Sequence, residues 1–308
     1  MIFNSSAVAF GRNETFSLRY NWIYKGLSAL KENKDIFTSP DALQTLGVGK
    51  NMMISMKYWL SAYQLVEKTN SSEFTEFASY LLDPEKGKDP YLEDINTLWL
   101  LHWKLCTNPD LATMYYWFFN KFTQTTFSKL QVLNELSSWL EHNTTKSVSQ
   151  KTLERDVSLL LKAYLGANTE DKAFEDQLEN PFHELNLVSK NASDVYNCFV
   201  RDRETIDFRL LGFFIADIQE FFTAGDMLDK PKNFKQIPVS QILNSDEFPS
   251  IQKIFKTTED SLYISLEQLE HAYPDLFKIS DTVGQKSLFI LQALKPYKFL
   301  DDFFKANK

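Results

Sequence analysis

A mainly α fold with small β elements is predicted, ordered as an N-terminal winged helix-turn-helix, a central helical domain and a mixed C-terminal region. Three observations predict it. Apolar residues recur at helical spacing from Phe16 to Leu165. Glycine is scarce, at 9 of 308 residues, which disfavours tight-turn β architectures. Phe, Tyr and Trp number 26, 13 and 6, as suits helices packed through aromatic side chains.

The first domain, 1–83, begins with the stripe Phe16, Tyr20, Ile23, Leu27 and Leu30, which the polar run KENKD at 31–35 ends. Ser39-Pro40 reads as an N-cap followed by proline in the first turn, opening a short helix Asp41–Leu46. Gly47 suits a left-handed turn, and a further helix runs from Asn51 to Leu65. Within VEKTNSSEFTEFASYLL, at 66–82, an Asn-Ser-Ser turn separates two short runs and predicts a two-stranded wing.

The second domain, 84–175, follows the linker EKGKDP. Asp89-Pro90 repeats the cap-plus-proline start, and the helix from Leu92 to Leu105 is apolar nearly all round, so it is expected at the centre of a core. Asn108-Pro109 breaks it. Helices over MYYWFFNKF, KLQVLNELSSWLEHN and KTLERDVSLLLKAYL follow, and the acidic NTEDKAFEDQLEN at 168–180 is a candidate boundary. In the third region, 176–308, FRLLGFFIADIQEFF is expected to be a helix, SLEQLEHAYPDLF a helix ending near Pro274, and QKSLFILQAL a strand or the start of a helix.

Charge and cysteine usage bound the function. The net charge of −8 means that any nucleic-acid surface must be a local basic patch on an acidic body. Cys106 and Cys198 are far apart and the four histidines are scattered, so no zinc site is legible. The N-terminus lacks a signal-like pattern and no stretch reaches the length of a membrane span, which points to reducing cytoplasm and no membrane partner.

The region 42–66 carries the functional signal. Met52, Met56, Trp59, Leu60 and Tyr63 share one arc of a helical wheel and are expected to pack against Leu43, Leu46 and the first helix. The opposite arc presents Lys50, Ile54, Lys57, Tyr58 and Ser61, with Asn51 at its edge. A recognition helix needs this division, with its N-terminus near a phosphate. Arg12, Arg19 and Lys25 would add backbone contacts. Three packed amphipathic helices alone would be mere structure; the glycine turn, the short middle helix and the wing tip the reading to DNA. The GVGK string at 47–50 is not a phosphate loop, because position 44 is Gln and position 51 is Asn.

Asp89, Glu93 and Asp94 cluster at a helix start. They could hold a divalent metal for phosphodiester hydrolysis, but capping and the helix dipole explain them better. His102 reads as a hydrogen-bonded core residue, and Arg155 with Asp156 as a surface or interdomain ion pair.

The strings FSLRYNWIYKGL, LGVGKNMMISMKYWLSAYQLV, DPYLEDINTLWLLHWKL, FFN and TLERDVSLLLKAYL occur in that order. Together they resemble domain-of-unknown-function family 4007, the SspB-type components of bacterial DNA phosphorothioation systems. The resemblance is dense to about residue 165 and thin after about 200. It implies a role in sulfur modification of the DNA backbone in phage defence, with nicking that opens a strand for sulfur insertion. It implies DNA, a cysteine desulfurase and an ATP-using sulfur transferase as partners. Lys50, Asn51 and Lys57 carry over as motif matches that meet DNA. No catalytic residue carries over; a metal-dependent nick using Mg²⁺ or Mn²⁺ would place Asp89, Glu93 and Asp94 first. A non-catalytic DNA-binding adaptor and a protein-interaction scaffold stay open as alternatives, as does a homodimer.

Overall fold

A computed structural model describes residues 3–67, 72–165, 180–191, 193–219, 235–245, 248–282 and 285–307. The chain forms two compact units, Phe3–Phe199 and Val200–Lys308, so the three expected segments are distributed over two bodies. The acidic stretch expected as a boundary lies, up to residue 179, outside the described residues.

The larger unit is helical. It begins with α1 (Tyr20–Glu32), α2 (Ala42–Leu46) and α3 (Lys50–Ala62). α1 starts at Tyr20 and not at Phe16, because Glu14 and Thr15 take φ of 46° and 70° and turn the chain. The Phe16 carbonyl instead accepts from the Trp59 indole at 3.0 Å. Gly47 takes the expected left-handed conformation, φ 59°, between α2 and α3. Ser39 does not cap α2; its hydroxyl donates to the Asp41 carboxylate. Leu46, Met56, Trp59, Leu60 and Tyr63 are buried as expected, whereas Leu43 is 41% exposed.

The wing does not form as a two-stranded sheet among the described residues. Val66 and Phe74 make a single antiparallel bridge, and FASYLL is helical within α4 (Glu76–Leu81). The residues themselves explain this. The Thr75 hydroxyl accepts from the Ala78 N–H, and Phe77, Ala78, Leu81 and Leu82 present one buried helical face. The Asn-Ser of the expected turn lies outside the described residues.

The core is built on α5 (Ile95–Cys106) and α6 (Thr113–Asn120). α5 is buried from Asn96 to Cys106 and α6 along its whole length, as near-continuous apolar sequence requires. α7 (Lys129–Asn143) starts in a capping box between Ser128 and Gln131, and α8 (Gln150–Tyr164) in the Ser149 cap. A small antiparallel sheet joins β1 (Thr126–Phe127), β3 (Tyr196–Asn197) and β2 (Ser189–Lys190), with Tyr196 opposite both Phe127 and Lys190.

In the smaller unit, α9 spans Phe208–Ile218, and residues 220–222 of the expected helix lie outside the described residues. The antiparallel sheet runs β4 (Lys235–Pro238), β6 (Gln285–Ile290), β5 (Phe277–Thr282), with Leu288 opposite both Ile237 and Ile279. QKSLFI is therefore a strand. Around the sheet lie α10 (Val239–Leu243), α11 (Ile251–Phe255), α12 (Glu259–Ala272) and α13 (Pro296–Ala306); α12 ends just before Pro274, as expected.

Candidate nucleic-acid interface

α1 and α3 are brought together by close packing at Gly26, where an added Cβ would stand 2.9 Å from Leu60 Cδ1. Their N-terminal ends border a groove of about 450 Å³ lined by Arg19, Tyr20, Lys25, Gly47, Val48 and Met52. Lys50 and Asn51 lie between the lining residues Val48 and Met52 and are exposed. Neither helix has a side-chain cap or an acidic residue in its first turn. The first-turn N–H groups and the positive dipole ends are thus not answered by a carboxylate from the helix itself. Arg19 lies over the Trp22 ring at 5.6 Å, which orients its guanidinium at the groove edge. Tyr20 donates to Glu184 across the unit, and burial first, then Glu184, pushes its hydroxyl pKa upward.

Two residues expected on the outward arc of α3 are elsewhere. Ser61 is buried at 3% exposure, its hydroxyl directed at the Lys57 carbonyl. Tyr58 donates to the Leu111 carbonyl at 2.9 Å, and burial first, then Asp156, raises its pKa. The wheel could not foresee this, because α6 and the Leu111 turn cover the side of α3 that a free three-helix unit would leave open. Lys57 is half-buried and Arg12 is exposed.

Asp89, Glu93 and Asp94 are not assembled into a metal site. The helix starts at Ile95, and Asp94, not Asp89, is its N-cap, accepting from Asn96 N–H at 2.8 Å. Asp89 is buried and accepts from the N–H groups of Glu93 at 2.9 Å and Asp94 at 3.1 Å. Among the described residues, no group of three or more His, Cys, Asp or Glu could hold a metal ion. With Asp89 and Asp94 committed to backbone N–H groups, the carboxylates expected to take Mg²⁺ or Mn²⁺ do not fit that ion. His102 is fully buried, with Nδ1 2.7 Å from the Tyr164 hydroxyl, as a core residue should be.

The loop before α1 is hydrogen-bonded to an α8 residue that sequence reasoning set aside as part of an ion pair. Asp156, at 5% exposure on α8, accepts from the Gly11 N–H at 2.7 Å. Burial pushes its carboxyl up to about 6, against the opposing pull of the Gly11 N–H, Arg155 and Asn13. The available signal was a lone Asp between Leu153, Val157 and Leu160 on an apolar helix face.

A compact helical body with a glycine-turned three-helix edge, followed by a small α+β unit, defines the class of protein. The chain belongs to the DUF4007 family, described as a protein of unknown function, whose model matches residues 10–304. It is similar to SspB: a magnesium ion-bound SspB crystal structure superposes with TM-score 0.85 at 26% identity, covering 98% of this chain and 89% of that one. A second SspB crystal structure gives 0.83 at 25% identity, covering 99% and 90%. No curated protein matches the sequence. No helix among the described residues is long and apolar enough to cross a membrane.

Proposed function

We propose that this protein is the DNA-binding component of a DNA phosphorothioation system. The observation that carries this reading is the groove where the N-terminal ends of α1 and α3 meet beside Arg19, Lys25, Lys50 and Asn51. Helix N-termini and basic side chains together suit backbone phosphates. A body of net charge −8 confines binding to such a local patch and makes it strongly salt-dependent. The likeness to SspB structures supports the phosphorothioation setting, and a cysteine desulfurase and an ATP-using sulfur transferase are the proposed partners. Strand nicking is the finer part of the proposal; the backbone hydrogen bonds of Asp89 and Asp94 argue against the trio Asp89, Glu93 and Asp94 as its site.

The test is fluorescence anisotropy of a labelled duplex across a salt series. Lys50→Glu and Arg19→Glu are each expected to weaken binding about tenfold and to flatten the salt slope by about 1. Unchanged binding in both variants removes the interface. Supercoiled plasmid incubated with Mg²⁺ or Mn²⁺ tests nicking, and a persistent absence of relaxed circles leaves a binding adaptor. A salt-insensitive complex with the sulfur-handling enzymes, without duplex binding, identifies a scaffold instead.

A further inference from the structure

We propose that Arg155 joins Arg12 in a second edge for DNA phosphates, held in place by the buried carboxylate of Asp156; this rests on the DNA-binding reading above. The loop before α1 does not follow ordinary backbone preferences. Gly11, Glu14 and Thr15 all have positive φ, at 67°, 46° and 70°, and Thr is β-branched. Such a conformation persists only where its surroundings fix it. Here the fixing group is Asp156, which accepts from the Gly11 N–H at 2.7 Å and from the Asn13 side chain. Asn13 is itself buried, and its Oδ1 accepts from the Thr15 N–H at 3.2 Å. One carboxylate therefore anchors both ends of the turn.

That anchoring sets two exposed guanidinium groups around one backbone segment. A Cβ added at Gly11 would stand 3.0 Å from Thr152 Cγ2 and 3.5 Å from Arg155 Nη2, so the chain passes directly beneath Arg155. Arg12 is the next residue along that segment, near enough to the Tyr58 hydroxyl to act on its ionisation. Arg155 and Arg12 are both exposed. A planar guanidinium suits bidentate contact with phosphate, and one on the fixed turn beside one on α8 reads backbone spacing, not base identity. A buried, charge-bearing carboxylate is a costly way to hold a surface loop. Its use here is explained when the loop's position matters to what the arginines touch.

The full chain serves for the test. Arg155→Glu and Arg12→Glu are each expected to weaken duplex binding about tenfold and to lower the salt slope by about 1. Asp156→Asn keeps the shape but removes the charge. It is expected to speed trypsin cleavage after Arg12 several-fold without DNA, and to weaken binding while the thermal transition stays cooperative. Wild-type affinity in Arg155→Glu, with Lys50→Glu still impaired, overturns this inference and leaves the α1–α3 interface standing. No effect in any of these charge reversals removes the DNA reading itself. Unaltered trypsin cleavage in Asp156→Asn overturns the positioning role.

Discussion

His102 on α5 and Tyr164 on α8 meet through a 2.7 Å contact between Nδ1 and the phenol hydroxyl, in the fully buried centre of the larger unit. Phe119 stacks edge-on against both rings, at 4.5 Å and 4.9 Å. Tyr164→Phe keeps these ring contacts and deletes the hydroxyl alone. The buried imidazole nitrogen then loses its hydroxyl partner and keeps the weaker Cys106 thiol contact at 3.6 Å, at a cost of about 1–3 kcal/mol. The expected outcome is a lower urea midpoint with an unchanged slope, and unaltered duplex binding below the transition. Loss of binding at full stability would mean that the pair acts in function.

Asp156 gives a prediction with a definite sign in pH. Its carboxyl rises from 3.8 to about 6 in the folded protein, mainly through burial. The native state therefore holds its proton more tightly than the unfolded chain does. Between those two values the native state binds more protons, so the stability contributed by this group falls as pH rises. Over the window the change is about 3 kcal/mol. The charged and titratable groups around it are Arg155 on its own helix, Tyr58 on α3 and Tyr115 on α6. The tyrosines are pushed upward and stay neutral, so the window belongs to Asp156. The stability of wild type minus that of Asp156→Asn, from urea melts at pH 4 and pH 7, should fall by about that amount. A pH-independent difference would show that the carboxyl is not held in a water-poor site.

Gly212 on α9 faces the Phe299 ring of α13, where a Cβ would stand 2.6 Å from Cδ1. Phe299 is fully buried and is packed in turn on Tyr273 and Phe277, at 5.0 Å and 5.8 Å. It has little room to retreat, so Gly212→Ala should destabilise the Val200–Lys308 unit by about 1–3 kcal/mol. At Gly26 the obstructing atom is a Leu60 methyl, the end of a flexible side chain, so Gly26→Ala should cost less. Hydrogen exchange resolved by segment checks both, with Gly212→Ala accelerating exchange in α9 and α13.

These contrasts show which features the sequence made legible. Strong periodicity located α1, α3, α5, α7 and α8, and Gly47 marked its left-handed turn, because local sterics decide those features. Beyond the Val66–Phe74 bridge the expected wing gives way to a helix, because Thr75 supplies a cap and Phe77, Ala78 and Leu81 supply a helical face. Tyr58 and Ser61 were misplaced for a different reason. A helical wheel sorts residues into arcs but cannot say that a second layer, here α6 and the turn at Leu111, covers the polar arc as well. Lys50 and Asn51 kept their exposure because they lie in the first turn, beyond that layer. Asp156 was underrated because its partner is a backbone N–H 145 residues away in sequence, and no pattern of side chains announces such a bond.

The acidic trio ends in a prediction that separates capping from catalysis. Asp89 spends both carboxylate oxygens on successive N–H groups, those of Glu93 and Asp94, around a Leu92 held at φ 59°. Removing it leaves two donors of a partly buried turn unanswered, and Asp89→Ala should cost about 2 kcal/mol. Asp94 caps α5 through the Asn96 N–H, so Asp94→Ala should cost about 1 kcal/mol. Glu93 is exposed, and its replacement by Ala should stay within about 0.5 kcal/mol. A metal-binding trio demands the reverse ranking: similar losses of nicking at all three positions with little change in stability. Urea melts beside the plasmid assay distinguish the two. Loss of nicking in Glu93→Ala and Asp94→Ala at wild-type stability would return the trio to the active site. A graded loss of stability, greatest at Asp89, confirms that these carboxylates build the entrance to α5.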